Sequence, residues 1–323
     1  MKLKFYLVLI AFIAISYRDY AQKKESVDKK DTSVRKIKTL NFIAMGDWGR
    51  NGEFNQREVA AQMGIQAKLL KISFFMILGD NFYPSGVAST MDHRWIDSYE
   101  NIYTAHSLQE EWWVVLGNHD YKGNPDAEVD YTKVDRRWKM PARYYSRKIN
   151  LNGDPTQQVL FVFIDTTPLL SEYYKGDEHS NVKTQDSTAQ LKWLVSVLSD
   201  PSPNIKWRIV AGHHHLYTGG NRMNTAETKE IHDRLKPIFD RYQVDAYICG
   251  HEHSLQYIKP KGYTHYFVSG AGSETTPVVL HPDGGKFAAS KNGFIAFFLS
   301  PDALKFQFID YLGKTLYKAE IRK

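Results

Sequence analysis

The chain has 323 residues, 42% hydrophobic and 14% aromatic, an ordinary globular composition with apolar material for one large core or two modest ones. Its formal charge of +6 comes from 42 basic and 36 acidic residues mixed along the sequence, which reads as a solvated surface and excludes nucleic acid as a partner. The single cysteine, Cys249, excludes an internal disulfide; within "VDAYICG" it is expected to be a buried, inert thiol.

Residues 1–21 combine a basic start (Lys2, Lys4) with an apolar stretch from Phe5 to Ile15 that is too short to span a bilayer. This layout predicts a cleavable signal peptide, hence a secreted or periplasmic protein with no stable membrane span after cleavage. Removing Lys2, Lys4, Arg18 and Asp19 leaves 39 basic and 35 acidic residues, or +4. Residues 22–39, charged with both signs and nearly free of large apolar side chains, are expected to form a flexible polar tether. Residues 40–323 hold no Pro-rich or Gly-rich linker and no fixed-period repeat, so they read as one domain, expected to act as a monomer.

From Leu40 onward one grammar recurs: a run of β-formers, a glycine, then polar residues. "LNFIAMGDWG" is followed by a helical stretch, "NQREVAAQMGIQAKLLK", and "ISFFMILGDNFY" by another, "MDHRWIDSYENIYTAH". "EWWVVLGNHD" and the related "QVLFVFIDT" come next, then helical "TQDSTAQLKWLVSVLS", "KWRIVAGHHH", helical "TAETKEIHDRLKPIFDRY" and "VDAYICGHEH". Strands alternating with helices predict an α/β fold with much of its sheet covered by helices. "THYFVSGAG", "NGFIAFFLS" and "LKFQFIDYLGKTLYKAEI" read as consecutive strands, so antiparallel pairing is expected at the end of the chain.

Ligands gather outside the carboxyl ends of strands in such sheets. Five of these ends carry metal-competent side chains: Asp47; Asp80 and Tyr83; Asn118 and His119; His213 to His215; His251 and His253. Taken singly, an aspartate after a strand is a turn residue or a helix cap, and a histidine is a structural group. Jointly they point to metal, because six of the twelve histidines fall in three of these turns. Carboxylate, phenolate and imidazole donors without thiolates suit hard or borderline cations. They exceed the needs of one tetrahedral zinc, so two ions are expected, bridged by a carboxylate such as Asp80 at roughly 3.5–4 Å separation.

These motifs resemble the calcineurin-like metallophosphoesterases, and among them the small purple acid phosphatases of the tartrate-resistant type. The tyrosine of "GDNFY" and the stretch "GNHDYKGN…RWKMPARYY" carry the resemblance, which covers nearly all of 40–323. It implies a metallophosphatase catalytic domain: a β-sandwich of mixed sheets flanked by helices, with the metal site at the carboxyl ends of the strands. It also implies Fe3+ on Asp47, Asp80, Tyr83 and His253, with the violet colour of phenolate-to-iron charge transfer. A divalent Fe2+, Zn2+ or Mn2+ would then sit on Asp80, Asn118, His213 and His251.

By the same resemblance His119 contacts the substrate phosphate; it is expected to protonate the leaving oxygen, and the adjacent Asp120 to orient it. Three anionic ligands and a bridging hydroxide against five metal charges leave one net positive charge to attract phosphate. The implied activity is an acid phosphatase that hydrolyses phosphate monoesters by attack of metal-bound hydroxide. Two alternatives stay open: a phosphodiesterase or nucleotide pyrophosphatase on the same scaffold, and a noncatalytic iron- or phosphate-binding protein. The chain departs from the family in "AGHHHLYTGGNRMN", where Asn221 and Arg222 stand in place of an acid and a second histidine. Arg222 is read either as a phosphate clamp or as a structural arginine. His214 and His215 are read as packing groups or as supports for a ligand.

Overall fold

The computed structural model describes residues 39–323; the expected signal peptide and all but the last residue of the expected tether lie outside the described residues. The elements form two seven-stranded sheets. In the first, β1 (Leu40–Met45), β2 (Phe74–Leu78), β3 (Glu111–Val115) and the two-residue β4 (Trp138–Lys139) run parallel to one another. The second holds β5 (Tyr145–Asn150), β6 (Gln158–Phe163), β7 (Ile205–Ala211), β8 (Ala246–Cys249), β9 (Leu255–Ile258), β10 (His265–Ser269) and β11 (Gly285–Ala289). There β6, β7, β8 and β10 are mutually parallel, and β5, β9 and β11 pair antiparallel at the flanks. Three further strands, β12 (Gly293–Leu299), β13 (Ala303–Asp310) and β14 (Thr315–Arg322), fold as an antiparallel meander and join the first sheet through β1.

The central strands are buried on both faces, which is why they read as continuous apolar runs rather than alternations. Helices supply the outer cover. In α1 (Gln56–Leu70), Val59, Met63 and Ala67 recur at fourfold spacing and are buried. α3 (Ser187–Leu198) starts at Asp186, whose carboxylate accepts the Ala189 amide, and α4 (Ala226–Arg241) starts at Thr225, whose hydroxyl accepts the Thr228 amide. A short α2 (Pro125–Tyr131) begins with Asn124 as its cap. Among the described residues no helix is long and apolar enough to cross a membrane.

Between the sheets the core is aromatic. Phe42 of β1 stacks on Phe74 and Phe297 at 5.0 and 4.8 Å and meets Phe161 of β6 edge-on at 5.6 Å. Phe267 of β10 meets Phe297 in the same way at 5.2 Å. Cys249 is buried and unpaired, as expected from its neighbours.

Two expectations need correction. "THYFVSGAG" does not continue into the terminal meander: it forms β10 in the other sheet, parallel to β8 and antiparallel to β9. "MDHRWIDSYENIYTAH" contains only one wide π-type turn, Trp95–Glu100. Its aromatic residues answer to tertiary packing instead, with Trp95 stacked on Tyr131 at 3.5 Å and Tyr99 edge-on to Trp112 at 5.0 Å.

Candidate metal centre

The parallel strands deliver their carboxyl ends to one edge, where five loops nest against one another. Asp47, Asp80 and His251 each take a left-handed backbone (φ 59°, 48° and 67°), which turns the chain sharply at the strand end. The preceding glycines permit the nesting. A Cβ on Gly117 would lie 2.2 Å from Asp80 Oδ1, and one on Gly250 would lie 2.3 Å from Asp47 Oδ2. Backbone amides then fix the carboxylates: His251 N donates to Asp47 Oδ2 at 2.9 Å and His119 N to Asp80 Oδ1 at 2.8 Å.

The seven residues singled out in the sequence meet there in two groups. In the first, Tyr83 Oη lies 3.2 Å from Asp47 Oδ1, 2.9 Å from Asp80 Oδ2 and 3.1 Å from His253 Nε2, and His253 Nε2 lies 3.4 Å from Asp47 Oδ1. In the second, His213 Nε2 lies 3.4 Å from Asp80 Oδ1, 3.3 Å from Asn118 Oδ1 and 3.2 Å from His251 Nδ1. Asp80 belongs to both groups, one oxygen to each.

Residues behind the cluster set which nitrogen faces it. His213 Nδ1 donates to the Leu78 carbonyl at 2.8 Å, so Nε2 points inward with its lone pair. His251 gives Nε2 to Glu227 Oε2 at 3.1 Å and turns Nδ1 inward. With both rings neutral, two imidazole lone pairs would oppose each other at 3.2 Å, and a phenol with one proton faces two carboxylates and an imidazole. Such a donor set lacks a positive charge at its centre, and cations fit it. Titration behaviour points the same way. Burial, then the Asp80 and Asp47 carboxylates, push the Tyr83 phenol well above its usual range. Against the cost of burial, His213, His119 and His251 hold Asp80 well below the usual carboxylate range. His213 is pushed up to about 9, because Asp80 and Asp47 outweigh its burial.

His119 is half-buried beside this cluster, its ring 4.5 Å from that of Tyr83. Asp120 does not orient it. That carboxylate instead accepts the amides of Asn81, Phe82 and Gly117 and holds the two loops together, while His119 Nδ1 donates to the Pro84 carbonyl at 2.6 Å.

His214 and His215 are buried against the second group, the His214 ring 4.4 Å from that of His251 and 4.9 Å from that of His213. His214 Nδ1 meets Thr166 Oγ1 at 2.7 Å, and its Nε2 meets Tyr173 Oη at 3.0 Å and Glu227 Oε1 at 3.3 Å. His215 bonds Thr228 Oγ1 at 3.0 Å and stacks on His251. The Arg222 guanidinium lies 3.5 Å from the His251 carbonyl and 3.8 Å from Glu252 Oε1.

Sequence reading missed Glu227, which supports both His251 and His214 and accepts from Tyr173 Oη at 2.6 Å. Its position in the first turn of α4 looks like ordinary helix-dipole compensation. Only the packing of α4 against the "GHHH" loop distinguishes it.

Comparison with known proteins gives a consistent set of relatives. The family model described as calcineurin-like phosphoesterase matches residues 40–255. Purple acid phosphatase 7 of Arabidopsis thaliana is 33% identical over 324 residues, covering 98% of this chain and 96% of the relative. Tartrate-resistant acid phosphatase type 5 of Oryctolagus cuniculus is 31% identical, covering 88% and 91%. Among solved structures, GAP50, described as the anchor in the inner membrane complex of Plasmodium, superposes with a TM-score of 0.76 at 23% identity, covering 88% of this chain and 89% of that one. That likeness speaks to fold alone.

Proposed function

Because the chain belongs to the calcineurin-like phosphoesterases, and among them to the purple acid phosphatases, we propose that it is a dinuclear metal-dependent acid phosphatase that hydrolyses phosphate monoesters. The observation that carries this reading is the sharing of Asp80 between two donor groups, one with a phenol and one with two imidazoles. In it, Asp47, Asp80, Tyr83 and His253 hold Fe3+, and Asp80, Asn118, His213 and His251 hold Fe2+, Zn2+ or Mn2+. When bound, the ions supply Lewis acidity toward the phosphoryl oxygens and a water of lowered pKa as the nucleophile.

The chain's own residues perform the remaining work. Asn118 contributes a neutral oxygen, which limits the negative charge facing an anionic substrate. His119 donates Nδ1–H to Pro84, so protonation at Nε2 creates an imidazolium whose second N–H is free to reach the leaving oxygen. That proton passes from Nε2 to the departing alkoxide, and its half-exposed ring recovers one from solvent. Glu227 keeps the His251 ring in its inward-facing tautomer. Export is part of the reading and rests on residues 1–21 alone.

Hydrolysis of p-nitrophenyl phosphate and of its bis ester separates the choices. Faster turnover of the monoester at acid pH is expected. A strong preference for the diester would move the assignment to a phosphodiesterase, and inertness toward both, with metals bound, to a noncatalytic binding protein.

A further inference from the structure

Arg50 follows the "GDWG" turn, and the Tyr83 ring lies directly beneath it. Its guanidinium carbon sits 3.7 Å from the ring centroid, closer than its 5.2 Å to the neighbouring Phe54 ring. Two bonds hold it there: Nη2 pairs with Glu274 Oε2 at 2.8 Å and Nε donates to Ser273 Oγ at 3.2 Å. The Arg50 backbone amide is fixed as well, donating to Gln56 Oε1 at 3.0 Å. Ser273 Oγ in turn donates to the Asp47 carbonyl at 2.6 Å, so the clamp is continuous with the first donor group. Glu274 Oε2 also lies 3.9 Å from Nδ1 of His253, the ring nitrogen turned away from the cluster. The Arg50 side chain is 16% exposed, so solvent screens its charge only in part.

We propose that Arg50 and Glu274 form a charge pair of opposite effect that sets the electron-donating strength of Tyr83 toward the ion in the first donor group. This rests on the assignment of Fe3+ to that group. A cation over a phenolate face stabilises its filled π orbital. Lifting an electron from that orbital to Fe3+ then takes more energy, and the ferric state loses some of the donation that favours it over the ferrous state. Glu274 opposes this by partly neutralising Arg50. Arg50 thus acts as a positioning residue through Tyr83, touching neither substrate nor nucleophile.

The test is the visible spectrum of the oxidised, metal-loaded full-length protein, with iron content measured on the same samples and the Fe3+/Fe2+ potential by titration. Arg50→Gln should move the phenolate-to-iron band to longer wavelength and lower the potential, with Arg50→Lys recovering part of both shifts. Glu274→Gln, a change at a solvent-exposed carboxylate that leaves Arg50 in place, should move the band the other way, to shorter wavelength. If both variants keep full iron and the wild-type band position, the proposal fails while the iron assignment stands. A loss of iron or of thermal stability without a change in band position also overturns it, because that is the signature of a purely structural arginine. A wild-type protein that binds metal yet shows no band removes the iron assignment, and this inference with it.

Discussion

The ring of His119 is held at Nδ1 by Pro84 and its backbone amide by Asp80, so its Nε2 is the one polar atom left to meet a ligand beside the cluster. His119→Ala should therefore lower turnover by roughly 10²–10⁴-fold, the usual span for a lost proton donor, with metal content unchanged. Steady-state kinetics with elemental analysis of the same sample checks this, and unaltered turnover would remove His119 from the reaction. Glu227→Gln takes away the charge behind His251 Nε2. It should weaken the divalent ion by roughly 10–100-fold in a chelator competition while leaving the Tyr83 band in place. Equal affinity would mean that the Glu227 bond serves only packing. His119 and the seven clustered residues were legible because the same glycine-then-donor pattern recurs at five strand ends, although each taken singly reads as a turn residue or a structural group. Asp120 was misread for a physical reason: adjacency in sequence does not fix side-chain direction, and this carboxylate turns back to cap three amides.

At the level of elements, the recurrent glycine is explained by the geometry of nested turns. Gly79 has φ +86°, and an added Cβ would stand 2.7 Å from both the Gly117 amide and His213 Nδ1. Gly79→Ala should cost at least about 1–3 kcal/mol in backbone strain and displace the His213 ring from its Leu78 anchor. The expected result is a lower melting temperature together with loss of the divalent ion first. A variant with wild-type stability and both ions would show that the turn tolerates a side chain. The strand, glycine, ligand grammar was visible in the sequence because burial on both faces forces apolar runs to end abruptly. Glu227 was not, since its contacts depend on how α4 packs onto a loop. "THYFVSGAG" was misplaced because period-two patterning identifies a strand but not its partners, and here they are β8 and β9.

The two sheets act as one scaffold because their facing surfaces share an aromatic layer. Phe42 touches three other rings across it, Phe74 and Phe297 in its own sheet and Phe161 in the opposite one. Phe42→Ala should destabilise the protein by about 3–5 kcal/mol in denaturant unfolding of the metal-loaded form. A loss below about 1 kcal/mol would mean that the layer repacks around the gap. The α/β class with helical cover was readable from alternation. The sheet order was not, since β1 pairs with β12 across most of the chain and nothing local encodes that pairing. Yet the proposed metal centre depends on it, because the clustered residues come from both sheets: Asp47, Asp80, Tyr83 and Asn118 from the first, His213, His251 and His253 from the second. The most direct test is an anomalous-difference map from crystals of the purified protein, collected at the iron edge and at that of the divalent metal found by elemental analysis. Two peaks roughly 3.5–4 Å apart, one on each side of the Asp80 carboxylate, are predicted. A single peak, or peaks away from Asp80, would contradict the account.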